Sequence, residues 1–493
     1  MLPVALFHAS QPRIAVRGGT SHEPQGESVP DVADDITALI LEAAKRAREE
    51  TSADPEPELT TPLEWPVQCT VGPGLEGAIA CESEVGYVNG SRGWLIYRGY
   101  DVFELAARST YEEVSYLLLH GRLPNSAELA DLKARLAEYR HTPGVIRQLM
   151  SFPIEQMSTM SALRMGTLLM RQAQTYRDRD GARLDIGAIG ADEDAEPMET
   201  LRPGTEHAAF EITKPAAHRP VGVDVGLLDA EDEESCYCLL AGVASIAACV
   251  ARVRAGHLPV EPDPDLSHAG NLVYMMTGRR PTPVEERVMD VALILHADHG
   301  MNASTFAAMV VASTLSDIYF AIGSGIAALN GPLHGGANED ALHMLQDIGS
   351  PEGAAPFYRA QREAGQKIVG FGHRVYKAYD PRARILKPLA RYLAQDHPQT
   401  RRLFDTADHL EQEVVSTLGA QKGVFPNVDF YSGIVYNAMD IPSEMFTPVF
   451  AVARVAGWTA RVFEYLERNR IFRPRAVYTG PFGREYVPLE ERP

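Results

Sequence analysis

Three observations predict a mainly α-helical protein with one short β segment. Apolar residues recur at helical spacing through most of the chain after Tyr111. Glycine-punctuated β-type residues are confined to residues 76–100, and two late helices are dense in small side chains. Residues 1–68 read as an extension, partly disordered. In it Ile36, Leu39, Ile40, Ala43 and Ala47 share one face of a helix from Asp34 to Glu50, a stripe suited to docking on its own core or on a sister subunit. After a Pro/Glu/Thr-rich linker, Glu76–Ser83 and Gly93–Tyr100 are expected to pair as strands. A Ser109/Thr110 cap starts a helix at Tyr111 that stops at His120, before Gly121, and a second helix spans Ser126–Tyr139.

Residues 176–234 are rich in Gly, Pro, Asp and Glu without a sustained period, as in an inserted acidic surface arm. An apolar helix is expected over Cys236–Val253. The small-residue helices follow at Ala303–Thr314 and Asp317–Leu329, where Gly323, Ser324, Gly325, Ala327 and Ala328 permit close approach in a dense core or a subunit interface. A long amphipathic helix begins at Ser443 or Glu444, runs to Arg468, and gathers Phe446, Val449, Phe450, Ala453, Ala456 and Gly457. Gly and Pro residues after Tyr478 end the ordered core.

A chain of 493 residues with 46 basic and 66 acidic side chains has room for two or three domains, and its net charge of -20 disfavours nucleic acid and anionic membranes as partners. An anionic substrate must then be drawn in by a local arginine cluster. No apolar run is expected to reach the roughly 18–20 residues that span a bilayer. The start lacks a basic region and carries Pro3, so the cytoplasm is the expected compartment. Five cysteines (Cys69, Cys81, Cys236, Cys238, Cys249) do not make a disulfide framework, and Cys236 and Cys238 are expected to be buried structural thiols.

Chemistry concentrates in three loops. Gly331-Pro-Leu-His334-Gly-Gly-Ala-Asn338 and Gly370-Phe-Gly-His373-Arg-Val-Tyr-Lys-Ala-Tyr-Asp-Pro-Arg382 each set a histidine among glycines, and Pro426-Asn-Val-Asp429-Phe-Tyr-Ser-Gly433 supplies a carboxylate. His334, His373 and Asp429 form a candidate acid/base constellation. Arg454 lies among apolar neighbours in Val-Ala-Arg-Val-Ala-Gly, which does not fit a solvated face. His296 and His299 share a helix face, but no third ligand stands at metal-site spacing, so no metal is expected. Asp298 between them is expected to orient a histidine or to face solvent.

The three loops, in this order, resemble those of citrate synthases, over about Gly72 to Pro481 with the insertion as the interruption. The resemblance implies a two-domain helical enzyme, with residues 69–335 and 441–493 in a large domain and 336–440 in a small one. It further implies that Asp429 removes a proton from the acetyl-CoA methyl, that His334 stabilises the enol and that His373 polarises the oxaloacetate carbonyl. His299, Arg382 and Arg454 would hold oxaloacetate together with Arg473 of a partner subunit, with Arg475 a competitor for that place. Lys367, Gly370, Gly372 and Lys377 would contact coenzyme A. No cofactor is implied, since acetyl-CoA is a substrate, and a homodimer or higher homo-oligomer is. The alternatives are a 2-methylcitrate synthase using propionyl-CoA, a citryl-CoA lyase module, and a catalytically silent scaffold of the same fold.

Overall fold

A computed structural model describes residues 32–51, 60–175, 230–395 and 397–492. Most of the acidic arm and the first part of the extension therefore lie outside the described residues. The arm's last residues do not: the apolar helix already starts at Ala230 and runs to Arg254.

The helix of the extension spans Val32–Thr51 and docks on the protein's own core. Ile36 and Ile40 are fully buried against helices Val102–Arg108, Pro283–His296 and Pro381–Leu393. Polar contacts fix it further: Thr37 donates to the Ala107 carbonyl at 2.9 Å, and Arg384 pairs with Glu50.

The β segment corrects the sequence expectation. Gly86–Asn89 pairs antiparallel with Trp94–Tyr97, Gly86 opposite Tyr97 and Asn89 opposite Trp94, and Tyr100–Asp101 adds a third short strand. The Asn89-Gly90 turn sets this register. The Asn89 side chain accepts from Ser91 Oγ and the Arg92 N–H, both at 2.9 Å, so the ladder uses the four residues directly before the turn and leaves Glu76–Ser83 out.

The helices Tyr111–His120 and Ser126–Arg140 stand where their caps place them, the first with a reciprocal Thr110/Glu113 capping box. The long helix is Phe446–Leu466, preceded by a short 3₁₀ turn at Ser443–Met445. It is not amphipathic as expected, for every residue from Phe446 to Val462 is buried. It crosses the core against Ala230–Arg254, Ala303–Ser313 and Ile318–Leu329. Helices Ala337–Ile348, Pro351–Glu363, Pro381–Leu393, Pro398–Val414 and Val428–Ala438 pack largely on one another beside that core. Among the described residues beyond Leu466 there is no further α-helix, and Ile471, Val477, Phe482 and Tyr486 are exposed.

One helix among the described residues, Glu233–Arg254, is long and apolar enough to cross a membrane, contrary to expectation. Since 89% of its apolar window is buried inside the protein, it is placed as a core helix. Cys236, Cys238 and Cys249 are buried on it.

Candidate active site

His334 ends the tight turn after helix Ile318–Leu329 and is half-buried. The Ser304 main-chain N–H donates to His334 Nε2 at 3.2 Å, and the Ser304 hydroxyl lies 2.8 Å from the same nitrogen. Nε2 is therefore an acceptor, and the ring proton sits on Nδ1, the nitrogen left to meet a ligand. Burial, with the Arg454 charge second, holds the His334 pKa down to about 4. At neutral pH this is a neutral donor.

His373 is fixed in the opposite sense. Its Nδ1 accepts from the N–H groups of Val375 (3.0 Å) and Tyr376 (3.1 Å), which puts the proton on Nε2. Burial lowers its pKa to about 4, although Asp380 pulls the other way.

The loop carrying His373 is bolted to the loop carrying Asp429. The Asn427 N–H donates to the Gly370 carbonyl, the Asn427 side chain to the Gly372 carbonyl, and the Gly372 N–H to the Phe425 carbonyl, at 2.8–3.0 Å. Gly370 has φ +80°, and a Cβ there would sit 2.8 Å from the Phe430 ring, so only glycine lets the two loops close together. Asn427 also caps helix Val428–Ala438 by accepting from the Asp429 N–H at 3.0 Å. Burial pushes the Asp429 carboxyl up to about 6 against the pull of Arg382. It is a base poised near neutrality.

Three buried arginines stand around these groups. Arg382 lies against Asp380 through Nε (3.0 Å) and Nη2 (2.8 Å), and Asp380 also accepts from the Val428 N–H (3.2 Å). Arg461 grips Asp298 through Nε and Nη2, each at 2.8 Å. Arg454 differs: its Nε donates to the His296 carbonyl, its guanidinium lies over the Phe450 ring, and its buried Nη2 has no hydrogen-bond partner. Burial pulls its pKa down to about 10 although Asp298 opposes this. Gly457 makes this reach possible, because its N–H donates to the Ala297 carbonyl at 3.0 Å, where a Cβ would lie only 2.3 Å from that oxygen.

His299 is buried beside His373, ring centroids 5.2 Å apart, with Nε2 3.2 Å from the Tyr376 hydroxyl. Burial, then Arg382 and His373, lower its pKa. His296 instead turns Nδ1 to the Ala292 carbonyl at 2.7 Å within its own helix. No group of three or more metal-ligating side chains occurs among the described residues.

The fold thus brings together His299, His334, His373, Arg382, Asp429 and Arg454. Gly370 and Gly372 have Gly370 O, Gly372 O and Gly372 N committed to the 425–427 segment, while Lys367 and Lys377 are exposed nearby in sequence. Arg473 is exposed on the C-terminal segment, its Nη1 3.4 Å from the Pro474 carbonyl. Sequence reasoning missed Ser304, Tyr376 and the role of Asp380. The last had a signal, since Asp before Pro-Arg is a helix N-cap, and the Asp380 side chain does accept from the Arg382 N–H at 3.0 Å. Asp298 orients the histidine turn and does not face solvent; it accepts from the Gly300 N–H at 3.1 Å.

Two neutral histidines of fixed tautomer, a carboxylate titrating near neutrality and an unpaired buried guanidinium define a site for acid–base chemistry on an anionic substrate. The family model for the citrate synthase C-terminal domain matches residues 74–191 and 185–475. The citrate synthase of Deinococcus radiodurans is 39% identical over 426 residues, covering 86% of this chain and 99% of its own, and that of Synechocystis is 38% identical over 422 residues, covering 85% and 93%. Among solved structures, the Pyrobaculum aerophilum citrate synthase is 41% identical with a TM-score of 0.71, covering 88% of this chain and 100% of its own. The Thermoplasma acidophilum enzyme, solved as a ternary complex with carboxymethyl coenzyme A and oxaloacetate, is 32% identical with a TM-score of 0.69, covering 84% and 97%. This chain belongs to the citrate synthase family.

Proposed function

We propose that this protein condenses acetyl-CoA with oxaloacetate and hydrolyses the resulting citryl-CoA to citrate and CoA, the opening reaction of the tricarboxylic acid cycle, in the cytoplasm. One observation carries the residue roles: His334 and His373 are held neutral with opposite tautomers near a carboxylate that titrates near neutrality. Asp429 takes a proton from the acetyl methyl while Nδ1–H of His334 donates to the thioester oxygen, so the enol forms without a full negative charge. The enol carbon then attacks the ketone of oxaloacetate as Nε2–H of His373 donates to its oxygen. Water cleaves the citryl thioester and releases CoA. Acetyl-CoA is a substrate, and these steps use no resident cofactor.

Arg454 Nη2 is the unpaired donor for an oxaloacetate carboxylate, supported by His299 and by the Nη1 side of Arg382. The helices between Ala337 and Ala438 form the small domain that closes over the site, excluding water until condensation. Coenzyme A meets the exposed Lys367 and Lys377, while Gly370 and Gly372 shape the loop. The small-residue helices and the exposed apolar C-terminal segment form the interface of a homodimer, in which Arg473 completes the neighbour's site. Mixing Asp429→Asn chains with Arg473→Ala chains then restores part of the activity. If mixed dimers form without any recovery, Arg473 has no such role.

The direct test of the reaction is thiol release from acetyl-CoA and from propionyl-CoA, each with and without oxaloacetate. Release from acetyl-CoA that depends on oxaloacetate and exceeds the propionyl rate is expected. The reverse preference assigns 2-methylcitrate synthesis, and no release from either overturns the catalytic reading.

A further inference from the structure

A second buried arginine lacks a partner, far along the chain from the site residues. Arg140 ends helix Ser126–Arg140, is only 4% exposed, and has no hydrogen-bond acceptor for its Nε and no ion pair among the described residues. Its guanidinium lines a cavity of about 280 Å³ between helix Pro143–Leu149, helix Ala230–Arg254 and the segment 258–262. Thr142 lines the same space, and its Oγ1 is buried without a partner. The Ser245 hydroxyl donates to the Arg140 carbonyl at 2.8 Å. Two donors beside this space therefore lack partners, and the carboxylate on its wall, Glu261, lies against His141.

A buried guanidinium with no carboxylate in ion-pair contact is costly, and an anion in the cavity would reduce that cost. The remaining walls choose among anions. Ile146, Met150, Val260 and Met275 are apolar, so most of the volume suits hydrocarbon. Glu112 is close enough to Arg140 to offset part of its charge, and Glu261 stands at the wall 2.9 Å from His141. A dianion such as phosphate would be repelled by these carboxylates more strongly than a monoanion. A monoanion with a short apolar body matches both the donors and the walls.

We infer that the Arg140 cavity binds a small monocarboxylate with a branched or aromatic hydrocarbon body, at a site separate from the acid–base centre. Guanidinium and carboxylate meet edge to edge, Thr142 donates a further hydrogen bond, and the hydrocarbon fills the pocket toward Met275.

The test is calorimetric titration of the full chain, saturated with oxaloacetate so that carboxylates cannot report on that site. The probes are 4-methylpentanoate, its neutral amide and inorganic phosphate. Saturable binding of the carboxylate alone is expected, weakened about tenfold or more in Arg140→Met. Ala248→Leu fills the cavity from another wall while keeping the charge, and it should weaken binding similarly. This keeps the test decisive if the Arg140 variant fails to fold. Absence of carboxylate binding, equal binding of the amide, or undiminished binding by a folded variant overturns the proposal.

Discussion

Arg382 and Arg454 are alike in type and burial, 2% and 1% exposed, yet their surroundings treat the charge oppositely. On the loop Gly370–Arg382, Asp380 neutralises Arg382 through two hydrogen bonds and ties it to the start of the Asp429 helix. On the long helix, Arg454 meets only a carbonyl oxygen and an aromatic face, and one nitrogen stays unpaired. A buried ion pair holds loops in place, while a buried cation without a counter-ion suits the oxaloacetate carboxylate proposed for it. Burial alone does not separate these roles; the counter-ion does.

The largest expected effect lies on the compensated side. Asp429→Asn should lower turnover by about 10²–10⁴-fold while leaving oxaloacetate affinity nearly unchanged, because proton abstraction alone loses its base. Wild-type activity should rise with pH through about 6, where Asp429 ionises. The sign for stability is opposite. The folded pKa lies above the ordinary 3.8, so this carboxyl's contribution to stability is full below 3.8 and is lost as pH rises through about 6. A pH–rate profile without a limb near 6 would remove Asp429 as the base.

Next, Asp380→Asn strands Arg382 without its counter-ion and should cost about 3–5 kcal/mol of stability, read by denaturant unfolding. A loss well under 1 kcal/mol would mean that the pair is not what joins the two loops. On the uncompensated side the smallest change is Ser304→Ala. The main-chain N–H of residue 304 still fixes the His334 tautomer, so turnover should fall by about tenfold or less, the share of one neutral hydrogen bond. A fall as large as that of Asp429→Asn would give the hydroxyl a direct part in the chemistry.

What the sequence made legible was local. Helix starts at Thr110 and the histidine and aspartate loops were readable, because capping and glycine punctuation act over a few residues. The apolar surroundings of Arg454 told that it was buried. They did not tell that it was unpaired, since its neighbours Phe450 and His296 are settled by packing, and the contact to His296 spans 158 positions. The Asp298–Arg461 pair joins groups 163 positions apart and was invisible for the same reason. The strand error arose differently: Glu76–Ser83 was expected to pair with Gly93–Tyr100, whereas the Asn89-Gly90 turn pairs Gly86–Asn89 with Trp94–Tyr97.

The contrast between the two arginines stands or falls on calorimetric titration of oxaloacetate into Arg454→Leu beside the wild type. Loss of about 2–5 kcal/mol of binding free energy, with a fold at least as stable as wild type because an unpaired buried charge has gone, is the expected result. Unchanged affinity would contradict it, leaving Arg454 a structural residue and the dicarboxylate held elsewhere.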